Sequence, residues 1–389
     1  MPKSWRISDS EYRYLQEMLD GGFPETSEVN FIGRLEEAFA AKFESGYAIA
    51  HNNGTATLHS ALVAAGVGAG DEVIVPPLTM ASTSLAVLHQ NARPVFADID
   101  PETFTIDPES IRRNITPHTK AIIPVPIYGL SCDMDPIMAI AAEHGLVVIE
   151  DAAQCFLGRY HGRLVGTLGD MASFSFQNSK HMASGEGGMV ITSNPAYAEA
   201  VRRFSCLGYA AIGQQSGSRF DKKVLHRPDY KRHVSLGYNY RIAELCAAVA
   251  LAQLEKLDAL VAWRKKCAAA YDEVVGPCPW LKPQRTPAGY DHACWAYVVA
   301  INASRGRDLW ERFYDKFVEF GGRGFYGCWS LTYLEPAFQN GSCGHHEAGI
   351  CPVAEMIQPT LMQFKTHFGD DETIDRQAGA LEKTIKHFS

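Results

Sequence analysis

The sequence predicts an α/β protein: a large, mostly parallel sheet of seven strands flanked by helices, followed by a smaller α+β region. Three observations carry this reading. Short apolar runs recur at regular intervals between residues 72 and 192. Helical stretches separate several of them. After about Asn239 the pattern changes to one long helical stretch, then to a mixture of strands and helices. Apolar runs without alternation are buried on both faces, as strands of a parallel sheet are when helices cover both sides. The expected division is residues 1–250 for the large domain and 251–389 for the small one.

Two helical stretches open the chain. Tyr12, Leu15 and Met18 recur at three-residue steps. Phe31, Leu35, Phe39 and Phe43 recur at four-residue steps, which places all four on one helix face. In "AHNNGTATLHSALVAAG", Asn53 and Gly54 supply turn chemistry, and Ala56 to Gly66 has helical spacing ending in glycine. The strand candidates follow: "EVIVPP" (72–77), "PVFADI" (94–99), "AIIPVPI" (121–127), "LVVIED" (146–151), "ASFSF" (172–176) and "GMVIT" (188–192). Met134 to His144 forms a helix between two of them. The stretch beginning "RIAELCAAVALAQLEKLDALVAW" predicts a helix, or a broken helix, linking the two domains. "CWAYVVAI" (294–301) is a strand, and Arg307–Phe320 and Ile374–Phe388 are helices.

Composition narrows the function. The chain has 389 residues and a formal net charge of −8, which argues against a nucleic-acid backbone as partner. Ten cysteines are scattered without a CxxC pair, as expected of buried thiols in a reducing cytoplasm. No apolar leader opens the sequence, and no run reaches the ~18 apolar residues of a membrane span. Cys343, His345 and His346 lie close together, but no second ligand pair stands at a zinc-like spacing, so no metal site is expected.

Four features converge on one kind of ligand. Gly54 and Thr55 start a helix, where backbone N–H groups attract an anion and glycine allows close approach. Asp151 ends a strand of the parallel sheet, on the edge where ligands bind, and its carboxylate suits a protonated ring nitrogen. Lys180 follows the strand "ASFSF" and precedes Gly185-Glu186-Gly187-Gly188, so an amine sits beside tight backbone geometry. Ser175, five residues before Lys180, offers a hydroxyl to an anion. Asn239 and Arg241 stand at the start of the long helix, with Asn239 as its cap in the plainer reading. An anchored phosphate, a pyridinium partner and an amine are together the minimum site for pyridoxal 5′-phosphate.

"NNGTATLHSAL", "VIEDAAQ", "GTLGDMASFSFQNSKHMASGEGGMVIT", "LGYNYRIAELCAAVALAQL" and "CPVAE" resemble, in order, the sugar aminotransferases of the DegT/DnrJ/EryC1/StrS family. The resemblance implies the fold type I aminotransferase architecture. It also implies a homodimer, or a larger assembly of such dimers, with active sites shared between subunits. By resemblance Lys180 is the Schiff-base lysine, forming the internal aldimine, and Asp151 pairs with the pyridine nitrogen. Gln154 lies near the cofactor's 3-hydroxyl. Gly54, Thr55 and Ser175 hold the phosphate, and Asn239 reaches it from the partner subunit. Glu186 is structural first and near the substrate second, and Tyr128 and Arg241 are further substrate candidates.

Two departures stand out. Met80 replaces an aromatic residue that stacks on the cofactor, and a thioether still covers a ring face. Pro126 stands where relatives often have a histidine, two residues before Tyr128-Gly129.

The activity implied is amino transfer from glutamate or glutamine to a keto or aldehyde carbon of a sugar. The first expectation is a nucleotide-linked keto-deoxysugar of O-antigen, surface polysaccharide or antibiotic biosynthesis. The alternative is a free cyclitol or aminoshikimate-type ketone. The basic stretch 218–233, with Lys223 and Arg227, is either a solvated loop or an anion-binding flap at the subunit interface. His181 raises a dehydratase as a rival, because some relatives carry histidine in place of the lysine. The spacing to Glu186 belongs to Lys180 and favours the transaminase. A non-catalytic regulator is the remaining rival, and retention of Lys180, Asp151 and the phosphate turn together argues against it.

Overall fold

The computed structural model describes residues 5–22, 30–210, 212, 227–302, 308–339 and 347–389. Helices α1 (Asp9–Asp20) and α2 (Phe31–Lys42) open it. Phe31, Leu35, Phe39 and Phe43 are fully buried, as their four-residue steps require. In α1 the buried side chains are Glu11, Tyr14 and Met18, whereas Tyr12 is exposed.

The strands are β1 (Tyr47–His51), β2 (Glu72–Val75), β3 (Arg93–Phe96), β4 (Thr119–Ile122), β5 (Val147–Asp151), the short β6 (Arg159–Tyr160) and β7 (Arg163–Leu164), β8 (Met171–Ser175) and β9 (Gly188–Thr192). Seven of them form one sheet in the order β1-β9-β8-β5-β4-β2-β3. Only β9 runs against its neighbours; the other pairings are parallel. The seventh strand is β1, which lies outside the six apolar runs. "YAIAH" is short and leads straight into the Asn53–Gly54 turn, so it looks like part of that turn. The helices between strands are α3 (Gly54–Ala64), α4 (Ser82–His89), α5 (Pro108–Asn114), α6 (Met134–His144) and α7 (Pro195–Ser205).

The predicted long helix is two helices, α8 (Glu244–Glu255) and α9 (Leu257–Val275), broken at Lys256. Their junction stays with the large sheet, because Leu257, Leu260 and Val261 belong to its core cluster. From Cys267 onward α9 joins a second cluster. That cluster surrounds β10 (Leu281–Pro283), β12 (Ala296–Ile301), β13 (Tyr326–Gly327) and β14 (Leu361–Lys365), with α10 (Asp308–Glu319) and α12 (Asp371–Phe388). The intervening β11 (Tyr290–Asp291) pairs with β6, and α11 (Pro352–Ile357) docks on Asp98 at the end of β3.

The two faces of the large sheet differ. Phe174 of β8 packs with Phe39, Phe43 and Phe156. Ser173, one residue away, faces α3 and hydrogen-bonds Thr57 at 2.6 Å. This alternation follows from the pleat.

Candidate active site

The C-terminal ends of β5 and β8 and the N-terminus of α3 enclose a cavity of about 360 Å³. Asn53 starts α3: its Oδ1 accepts from the Ala56 N–H at 2.8 Å. The N–H groups of Gly54 and Thr55 head the first turn, where no intrahelical acceptor exists. Both residues line the cavity. A Cβ on Gly54 would lie 2.7 Å from the Cβ of Ser175, so only glycine lets the helix start pack against β8 here.

Asp151 is 5 % exposed at the end of β5. Its Oδ2 accepts from Thr83 Oγ1 at 2.7 Å, while Oδ1 has only a long contact, 3.4 Å, from the Ala153 N–H. Burial raises its pKa; the Thr83 hydroxyl and the Lys180 charge oppose that rise. Gln154 is anchored from behind, with its Oε1 accepting from the Tyr128 N–H at 2.8 Å.

Lys180 enters the same cavity, with its Nζ 4.8 Å from the centre of the Trp295 ring. Burial pushes its pKa down to about 8, helped by the Arg264 charge and opposed by Asp151. His181 turns the other way. Its Nε2–H donates to the Ala293 carbonyl at 2.8 Å, and its ring packs on Phe156. Burial and the charges of Arg264, Lys180 and Arg6 hold the imidazole neutral, with a pKa well below the ordinary value.

Met80, about half exposed, and Glu186 stand at the cavity wall. Asn239 does not line this cavity; it is exposed on a stretch bridged to Cys206. Nor does it cap the long helix, because α8 begins at Glu244 with Ala243 as its cap. The Tyr128 side chain is also absent from the wall. It is fully buried, its hydroxyl meets Cys328 Sγ at 2.6 Å, and its ring stacks on Trp329. Arg241 is half-buried, and its Nη1 has no partner among the described residues. Arg227 is exposed and pairs with Asp229. Lys223, Cys343, His345 and His346 lie outside the described residues. Among the described residues no cluster of three metal-ligating side chains occurs.

Sequence reasoning missed Trp295, Trp329 and Arg264. The two indoles stack 6.0 Å apart and separate the cavity from a neighbouring one of about 510 Å³, which Tyr326, Gln363 and Lys365 line. Trp295 opens the strand candidate "CWAYVVAI" and Trp329 stands in no motif, so neither is marked as part of a site. Arg264, in "AWRKKC", looks like part of a solvated basic run, and only packing reveals that it is buried.

The donor set fits pyridoxal phosphate. A glycine-bounded helix start and the Ser175 hydroxyl offer hydrogen-bond donors suited to an anion, and a buried carboxylate keeps one weakly bonded oxygen. An amine lies within the same enclosure.

The model of the DegT/DnrJ/EryC1/StrS aminotransferase family matches residues 6–376. GDP-perosamine synthase of Caulobacter vibrioides is 39% identical over 385 residues, 98% of this chain and 96% of that protein. The spore coat polysaccharide biosynthesis protein SpsC of Bacillus subtilis is 37% identical, over 77% of this chain and 75% of its own. The X-ray structure of an aminotransferase from Psychrobacter cryohalolentis superposes with a TM-score of 0.88 at 30% identity, covering 99% of this chain and 98% of that one. With the motifs in order and the match running almost end to end, the chain belongs to the DegT/DnrJ/EryC1/StrS aminotransferase family, whose members depend on pyridoxal phosphate.

Proposed function

We propose that this protein transfers the amino group of glutamate or glutamine to the keto carbon of a nucleotide-linked sugar, with Lys180 as the covalent anchor of pyridoxal phosphate. The observation that carries the reading is the convergence of Lys180, Asp151, Ser175 and the Gly54–Thr55 helix start on one cavity. Relatives named for GDP-perosamine synthesis and spore coat polysaccharide biosynthesis support a sugar acceptor in surface-polysaccharide assembly.

The bound cofactor supplies an electron sink for the carbanion at the donor's α-carbon. The chain's residues do the rest. Gly54, Thr55 and Ser175 bind the phosphate, and Asp151 accepts the ring N–H and keeps it protonated. Gln154, held by the Tyr128 backbone, orients the ring's 3-hydroxyl side. Lys180 takes the proton from the donor's α-carbon and later returns one on the acceptor side. A depressed pKa suits this double duty, because both the base and the acid forms are populated near pH 8. His181, sealed against Phe156, is outside the proton path, which supports a transaminase over a dehydratase.

Two further parts belong to the proposal. Asn239, exposed beside Leu236 and Tyr238, reaches the phosphate of a second copy, so the working enzyme is a homodimer. The cysteines among the described residues are thiols rather than disulfides, which supports a cytoplasmic enzyme. Among the described residues no helix is long and apolar enough to cross a membrane.

The test uses the purified protein with pyridoxal phosphate. The visible band should shift on adding glutamate, and nitrogen-15 should pass to a member of a panel of nucleotide-linked keto sugars. Labelling of free cyclitol ketones alone would move the acceptor to the alternative class. No band shift with either donor would sink the reading.

A further inference from the structure

Arg264 lies on α9, 1 % exposed, and reaches across to the turn that carries Lys180. Its Nη2 donates to the Ser179 carbonyl at 2.8 Å and the Lys180 carbonyl at 3.0 Å. Its Nη1 donates to the Trp295 carbonyl at 2.7 Å and to Thr366 Oγ1 at 3.2 Å. Among the described residues no carboxylate pairs with it. This is unusual, since buried guanidiniums are normally neutralised. Here four neutral oxygens satisfy the donors and leave the charge uncompensated. Trp295, held through its own carbonyl, returns an Nε1–H bond to the Ser179 carbonyl at 2.9 Å and sets its ring against the Lys180 ammonium. Arg6 adds a second guanidinium, which donates to the carbonyls of Asn178, Lys180 and His181.

We propose that Arg264 is a positioning residue for Lys180: it fixes the lysine's turn against Trp295 and holds an unneutralised positive charge against the backbone of that turn. The inference rests on the reading of Lys180 as the reactive amine. The charged and titratable groups around that amine pull in different directions. Asp151 across the cavity favours the ammonium, and Glu186 on the same wall carries the same sign as Asp151. Burial opposes the ammonium most strongly, and Arg264 adds to that effect. Arg6 sits behind the backbone of the turn. His181 and His367 are held neutral by burial and by Arg264 itself, so neither cancels the guanidinium. An ordinary lysine leaves roughly one amine in 250 neutral at pH 8, whereas one with a pKa of about 8 leaves half.

The experiment reads the amine directly. Apo-protein is labelled with trace acetic anhydride from pH 6 to 11, and acetylation of the Lys180 peptide is followed by mass spectrometry. The wild-type midpoint is expected near pH 8. Arg264→Gln keeps an amide donor but no charge, and its midpoint should rise by about one unit, a roughly tenfold loss of neutral amine at pH 7. Arg264→Lys keeps the charge and should stay within about half a unit of wild type. An unchanged midpoint in the glutamine variant overturns the proposal. So does an equal rise in both variants, which would make geometry rather than charge responsible. Arg264→Met backs up the glutamine variant. If circular dichroism shows that neither neutral variant folds, Arg264 belongs to the fold and the proposal fails. The labelling needs neither cofactor nor substrate. A correct midpoint pattern in a protein that transfers no amine would leave this inference standing while the functional reading falls.

Discussion

Glu150 and Asp151 are consecutive carboxylates on β5, both buried, and they point to opposite faces of the same sheet. Burial raises the pKa of each. Glu150 is saturated: its oxygens accept from the N–H groups of Gly166, Leu168 and Gly169 at 2.9, 2.7 and 2.9 Å. Asp151 has one good bond, from Thr83, and one long one. A related contrast of faces recurs in the turn after β8, where His181 packs into the phenylalanine-rich face and Lys180 projects into the cavity. The lesson is that burial alone does not mark a functional group. The mark is a buried polar group whose partners are incomplete and whose open side faces a cavity.

Breaking the cavity face should cost chemistry, and breaking the core face should cost stability. The largest effect is expected at Lys180. Lys180→Ala should lower amine transfer by about 1,000-fold or more, with the melting temperature nearly unchanged, while His181→Ala in its folded form should keep transfer within about tenfold. Steady-state transfer assays on both variants check this, and a reversed order would invert the comparison.

The carboxylate pair comes next. Asp151→Asn should cut kcat by roughly 100-fold or more, because the amide no longer keeps the ring nitrogen protonated. Glu150→Gln should instead destabilise by about 1–3 kcal/mol in urea unfolding and leave kcat of the folded protein nearly intact, because an amide accepts fewer of the three N–H bonds. Equal catalytic losses in both would erase the distinction between the faces.

A smaller effect is expected at Gly54. Gly54→Ala should weaken pyridoxal phosphate binding by about tenfold, because its Cβ would collide with Ser175 and open the helix start. Equilibrium titration of the apo-protein measures it.

The smallest effect concerns pH and the core face. His181 is neutral when folded and takes up a proton once unfolded below its ordinary pKa of 6.5. The unfolded state therefore binds more protons, and stability falls as pH drops below 6.5. His181→Gln should flatten that acid limb by up to about 1.4 kcal/mol per pH unit. Denaturant midpoints between pH 5 and 7 decide it.

Much of this contrast was legible in the sequence. Lys180, Asp151, Ser175 and the Gly54–Thr55 turn stand in local motifs, and each motif fixes its backbone through nearby glycines or a strand end. The six apolar runs mark six of the seven strands, because a strand buried on both faces needs no alternation to be recognised. What stayed hidden depends on long-range packing. Arg264 contacts Lys180 across 84 residues of sequence, and Trp295 contacts Ser179 across 116. Tyr128 illustrates the opposite error: the resemblance made it a substrate candidate, but Trp329 and Cys328 cover its side chain. The Asn239 cap failed because the chain stays extended for several more residues, with the Asn52 N–H bonded to the Tyr240 carbonyl.

The stacked indoles of Trp295 and Trp329 also give the protein a built-in optical probe. Two of its six tryptophans form the wall of the reactive cavity, and one of them faces the lysine side chain. Any bound group absorbing in the near ultraviolet lies within energy-transfer range of that pair. The protein's own emission should therefore dim on loading and brighten on release, so that occupancy can be followed in real time without a coupled assay or an added dye.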